Sequence, residues 1–310
     1  MTDTETSTEE TADRSPDGSA IVVGIDRGPS AKVALRWALA EAILRRAPLT
    51  ALTGAGSPMV ISPMGWGAFQ IDPAELLLAA RRDLDAVVDE ALAEVPTPHP
   101  TVERVATIGP AAEALVEESV KAALVVVGTR ELHGLYRWLG SVSDQVAMHA
   151  VCPVAVIPEL HKTPFAPGAP IVVGVDGSLN GDAALAWAVE EGRRRGVPTR
   201  AVACWSLFDQ HGAGGPQHFN PDYDNQSARQ ALADIVERVI GPDADDVELT
   251  PICDLPAAGL LEAAADAESP LLVLGARGLG GFRGLLLGSV SHRVLVASNR
   301  PTVIVHPPQP

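Results

Sequence analysis

The sequence predicts an α/β chain built of two tandem doubly wound, Rossmann-like domains, each a five-stranded parallel-type sheet sandwiched by helices. Three observations carry this. The chain repeats itself: IVVGIDRGPS at Ile21 returns as IVVGVDGSLN at Ile171, and Trp37 in ALRWALAEA returns as Trp187 in ALAWAVEEG, each 150 positions on. Such self-similarity marks a duplicated unit. Continuous apolar runs alternate with stretches of helical spacing, the pattern of a parallel sheet covered on both faces. Each copy also carries a glycine-bearing loop between a strand and a helix, the place where open α/β sheets bind ligands.

In the first copy, AIVVGID is apolar throughout, as expected of a strand buried on both sides. SAKVALRWALAEAILRR follows with helical periodicity, and Ser30 is expected to cap its start. LTALTGA predicts the second strand; the loop after it, GSPMVISPMGWGAFQIDP, is longer than most connections. PAELLLAARRDLDAVVDEALAEV predicts a long amphipathic helix. VERVATIG, AAEALVEESV and ALVVVGT then predict strand, helix and strand, and SVSDQVAMHA with VAVIP closes the unit. The second copy follows suit: LVVVGTR at Leu124 returns as LLVLGAR at Leu271, LGSVSDQV at Leu139 as LGSVSHRV at Leu287, and CPVAVIP at Cys152 as RPTVIVHP at Arg300. EEGRRRGVP is expected to end a helix with a solvated arginine face suited to the helix dipole. The apolar last strands, VAVIP and TVIVHP, would be a liability as free edges. The two copies are therefore expected to pack there as an intrachain pseudo-dimer, and chains to pair again as a homodimer.

Residues 1–19 form an acidic tail, expected to be disordered because it has nothing to bury. The first domain spans 20–158, a proline-rich linker 159–170, and the second domain 171–310. The tail lacks the apolar core of a signal peptide, and no run approaches the roughly 18 apolar residues of a membrane span. A net charge of −16 over 310 residues argues against nucleic-acid binding, which needs a basic face. Cys152, Cys204 and Cys253 lie far apart, in no CxxC pair or Cys/His cluster, so neither zinc nor a disulfide framework is expected. A reducing, cytoplasmic setting fits. His211 and His218, in the long loop of the second copy, read as solvated rather than metal-binding.

The chemistry concentrates in GARGLGGFRGLLLGSV, from Gly275 to Val290. Gly275 ends an apolar strand and Gly288-Ser289 opens a helix, so backbone N–H groups and the helix dipole would favour an anion there. Ser289 also reads as an N-cap. Residues 271–310 carry Arg277, Arg283, Arg293 and Arg300 and no acid, a positive segment in an acidic chain. No GxxxxGK[ST] occurs, and GLGGFRG misses GxGxxG because Arg283 stands at the third glycine. The spacing Gly275-x2-Gly278-x9-Gly288-Ser289, with the close GSVSHRVLVASNRPTVIV, resembles the ATP loop of the universal stress protein family. The duplicated chain from Ile21 to Pro307 resembles a tandem member of that family, of the ATP-binding type. The resemblance implies that family's fold and an adenine nucleotide, ATP with Mg²⁺ in attendance, held by backbone groups without a protein metal site. By the same resemblance, Gly174 and Asp176 match the family's GxD, whose aspartate accepts hydrogen bonds from ribose or adenine. Cys204 would line the adenine pocket as a small hydrophobe, not as a catalytic thiol. Gly275, Ala276, Arg277, Gly278, Gly280 and Gly281 would follow the sugar–phosphate, and Gly288, Ser289 and Val290 the distal phosphates.

The first copy departs from this pattern. GTRELHGLYRWLGSV places Glu131 at the second glycine and is one residue shorter. A glutamate there would repel a triphosphate, although Gly24, Asp26, Gly128, Gly140 and Ser141 persist. ATP is therefore expected mainly in the second domain, with the first weak, empty or adapted to another ligand. No positioned base, nucleophile or metal-holding carboxylate accompanies the loop. The expected function is a nucleotide-dependent stress or dormancy regulator acting through an unidentified protein partner. At most it would be a slow ATPase; without nucleotide it would be an assembly protein.

Overall fold

A segment that is apolar on both faces is stable only between two layers, and each such run becomes a short central strand. The computed structural model describes residues 20–56, 72–95, 97, 99–129, 140–159, 167–205, 221–279 and 286–307. In the first half, β1 (Ile21–Gly24), β2 (Leu49–Ala55), β3 (Val102–Ile108), β4 (Leu124–Thr129) and β5 (Val154–Pro158) alternate with α1 (Pro29–Arg45), α2 (Pro73–Ala93), α3 (Ala111–Glu118) and α4 (Ser141–His149). The second half repeats the series with β6 (Ile171–Gly174), α5 (Leu179–Arg195), β7 (Thr199–Trp205), α6 (Pro221–Ile240), β8 (Val247–Cys253), α7 (Pro256–Asp266), β9 (Leu272–Gly275), α8 (Ser289–Ala297) and β10 (Thr302–Val305). The acidic tail, most of the linker, both long loops with His211 and His218, and Glu131, Gly280, Gly281 and Arg283 lie outside the described residues.

Within each half all strands run parallel, in the order β3-β2-β1-β4-β5 and its repeat β8-β7-β6-β9-β10. The halves do not form separate sheets. β5 and β10 pair antiparallel, Ala155 opposite Val303, and make one ten-stranded sheet. Helices α1, α2, α5 and α6 cover one face, burying Leu35, Leu84, Leu185 and Leu232. Helices α3, α4, α7 and α8 cover the other, burying Leu115, Val146, Leu260 and Val294. Each core runs through both halves, with Val303 in one and Ile304 in the other.

Helix starts correct two expectations. Ser30 does not cap α1; Gly28 does, with Pro29 in the first turn, and Ser30 is buried. A proline in the first turn sacrifices no hydrogen bond, so the helix begins two residues earlier. Its counterpart α5 is capped by Ser178, whose Oγ accepts the Gly181 N–H at 3.0 Å. Ser289 likewise stands inside α8, after the cap Gly288.

The arginines of EEGRRRGVP are only in part a solvated face: Arg193 and Arg194 are exposed. Arg193 is exposed and paired to Asp246, but Arg195 turns inward. Arg45 on α1 reaches Glu191 on α5 at 2.6 Å, and Arg195 on α5 reaches Glu41 on α1. Each arginine also bonds the glutamate of its own helix, at 3.2 Å and 2.8 Å. Glu41 is 2 % exposed and Glu191 0 %. Helical spacing placed these residues on the inner side, where only pairing makes charge tolerable. Burial pushes the Glu41 carboxyl above its ordinary value, against the pull of Arg195. Burial acts the same way on Glu191, but Arg45, Arg195 and Arg194 outweigh it and hold that carboxyl low.

Candidate functional site

In a 3-2-1-4-5 sheet the strand order reverses between the first and fourth strands, opening a crevice at their carboxyl ends. In the first half, Gly24 ends β1 and Asp26 follows it, Gly128 lies near the end of β4, and Gly140 and Ser141 open α4. These five residues, separated by over a hundred positions in sequence, line one cavity of about 270 Å³ with Ser30, Ala31 and Leu115. Its volume is near the lower end of the range for ligand pockets, about 300 Å³ upward. The first N–H groups of a helix have no acceptor within it, and no side chain caps α4 or α8. Among the described residues, both helix starts therefore present bare donors and the positive end of a dipole.

The second half gathers the matching residues. Gly174 ends β6, and Asp176 follows it. Gly275 ends β9, and Gly288 caps α8 with Ser289 exposed and Val290 packed into the apolar core. The Gly288 N–H donates to the Ala276 carbonyl at 2.7 Å, which closes the base of the glycine loop. Arg277 is exposed; its carbonyl accepts the Ser178 hydroxyl at 3.4 Å. Asp176 accepts the N–H groups of Ser178 and Leu279, each at 3.0 Å. The aspartate matched to a ribose or base contact thus binds the loop itself.

Cys204 sits half-buried on β7 against α7, its Sγ 3.0 Å from where a methyl on Gly259 would stand. Burial, with Asp254 adding to it, pushes this thiol up to about 11. Burial pushes Cys152 up to about 12. Neither thiol supplies a thiolate nucleophile at neutral pH. Gly54 stands at the position of Cys204 in the first copy, so the side chain at this point differs between the two crevices.

Sequence reasoning missed Asn180. It is the counterpart of Ser30, which lines the first cavity; it is 8 % exposed, and its Oδ1 has no hydrogen-bond partner among the described residues. The buried indole N–H of Trp205, at the end of β7, also has no partner among the described residues. The signal was present as the change from PSAK to LNGD between the copies. Also missed were Ser143 and Ser291, the second serines of GSVS. Their hydroxyls donate to Gly128 O at 3.0 Å and Gly275 O at 2.7 Å, tying each helix start to its strand end. Among the described residues no cluster of His, Cys, Asp or Glu could hold a metal ion, and no helix is long and apolar enough to cross a membrane.

Residues 19–158 and 169–306 each match the model of the universal stress protein family. A universal stress protein of Mycobacterium tuberculosis is 35 % identical over 301 residues, covering 92 % of this chain and 95 % of its own length. One of Mycobacterium bovis is 33 % identical over 316 residues, covering 93 % and 95 %. Among solved structures, a universal stress protein from Archaeoglobus fulgidus aligns with a TM-score of 0.68 at 15 % identity, over 93 % of this chain and 98 % of its own, a likeness of fold.

Proposed function

Since this chain belongs to the universal stress protein family, as a tandem of two of its domains, we propose that it binds adenine nucleotide at the carboxyl ends of its strands. The observation that carries this reading is the convergence of Gly24, Asp26, Gly128, Gly140 and Ser141 on one cavity beside an uncapped helix start. ATP, with Mg²⁺ on its phosphates, occupies mainly the C-terminal domain. There the full glycine spacing and the acid-free segment from 271 onward favour a polyphosphate. Bare N–H groups at the start of α8 would hold phosphate, and Ser289 adds an exposed hydroxyl. The N-terminal cavity supports a second reading for its own half. With Glu131 in its loop it favours an adenine ligand carrying fewer phosphates. Occupancy is the output: the chain pairs as a homodimer and reports nucleotide to a regulatory protein partner.

The test is denaturing release and quantification of nucleotides from purified protein, for the natural chain and for Gly288→Glu and Gly140→Glu. The expected result is one ATP per chain, lost in Gly288→Glu and kept in Gly140→Glu. No adenine nucleotide, even after incubation with ATP and Mg²⁺, overturns the reading and leaves an assembly protein. Loss in Gly140→Glu alone moves ATP to the first domain. Sustained ADP release would replace the regulator by a slow ATPase.

A further inference from the structure

Asp176 joins two segments 103 residues apart. Its Oδ1 accepts the Ser178 N–H, a local bond that turns the chain into α5. Its Oδ2 accepts the Leu279 N–H and so ties the end of β6 to the glycine loop. Two glycines make room for this carboxylate. A methyl on Gly181 would stand 2.6 Å from Oδ1, and one on Gly278 would stand 2.4 Å from Oδ2. Neither glycine is among the described residues with positive φ. Space for the carboxylate, not backbone conformation, is what forbids a side chain there.

We infer that Asp176 is a positioning residue, the strut that seats the phosphate loop on its strand, and that Gly181 and Gly278 stay bare so that it can reach. The consequence for phosphate rests on the nucleotide reading above; the strut itself does not. The first copy supplies the contrast. Asp26 is retained and accepts the Gly28 N–H at 2.7 Å. Ala31, however, stands at the position of Gly181, and Glu131 at that of Gly278. Both bare positions are missing together. Each carboxylate oxygen keeps a further lone pair, so a ligand hydroxyl can still reach Asp176.

The full-length chain carries the test, with Asp176→Ala, Gly278→Ala and the double variant. Gly278→Ala leaves the aspartate intact and adds one methyl. Two quantities are read: the rate of tryptic cleavage after Arg277 without nucleotide, and the affinities for ATP and for adenosine. Loss of a charge-assisted hydrogen bond predicts faster cleavage and about ten- to hundredfold weaker ATP binding in both single variants. In Gly278→Ala, which leaves the carboxylate in place for a ligand hydroxyl, adenosine affinity holds within about twofold, and the double variant is no worse than the worse single one, because both changes break the same contact. If Asp176→Ala weakens adenosine and ATP equally while Gly278→Ala behaves as the natural chain, Asp176 is a ligand contact and the strut is overturned. Unchanged cleavage in Gly278→Ala overturns it as well, and this arm holds if Asp176→Ala fails to fold. If the natural chain binds no nucleotide, the cleavage arm still decides the strut, and only the nucleotide reading falls.

Discussion

His306 shows how much a single side chain carries across the joint between domains. It follows β10 of the second domain, and its Nε2–H donates to the Ala147 carbonyl on α4 of the first, at 3.0 Å. Burial disfavours the imidazolium, and Arg277 adds to the effect, so the pKa lies below the ordinary 6.5. The folded state therefore binds this proton less readily than the unfolded chain. Its contribution to stability is present above about pH 6.5 and is lost as pH falls through the lower folded value. His306→Gln keeps a donor and removes the titration. Between about pH 7.5 and about pH 5 the melting temperature of the natural chain should fall further than that of the variant. Equal falls would assign the acid sensitivity to other groups. At this scale the sequence shows residue types but not partners. GxD was legible as a motif at a strand end, and the bond from Asp176 to Leu279 was not, because nothing local links positions 103 apart.

Among elements, the recurring unit is a strand end, a helix start and a glycine pressed between two backbones. A methyl on Gly275 would lie 2.6 Å from the Asn180 backbone, and one on Gly128 would lie 2.6 Å from the Ser30 carbonyl. The helix after the first strand of each half thus rests directly on the last residues of the fourth. Ser143 and Ser291 complete the clamp from the other side. Gly275→Ala is expected to destabilise the chain by about 1–3 kcal/mol through overpacking, and Ser291→Ala by about 1 kcal/mol. Urea unfolding measures both; a neutral Gly275→Ala would mean that α5 can retreat from β9 without loss. The alternation of strands and helices was legible because apolar runs and helical periodicity are local properties. The duty of Gly275 was only half legible. Closeness to a ligand can be guessed from a loop, whereas the demand made by α5 exists only after folding.

For the whole molecule, the feature that sequence hid best is the buried group of Glu41, Arg45, Glu191 and Arg195. Helix-end arginines ordinarily face water, and only the docking of α1 against α5 buries these two. The Arg45 guanidinium also lies 5.6 Å from the Trp187 ring. Glu191→Gln leaves Arg45, Arg194 and Arg195 short of a counter-charge and should cost about 3–5 kcal/mol. Replacing all four residues by leucine and methionine should come out near neutral in urea unfolding. A large loss in the fourfold variant would show the pairing to be a net source of stability. Next to this group, β5 and β10 run in opposite directions while every other neighbouring pair is parallel. The two crevices therefore open at opposite ends of the strands, facing away from each other. No single flat surface can touch both. The second crevice is thus the first turned end for end, and the two are presented to opposite sides of the sheet.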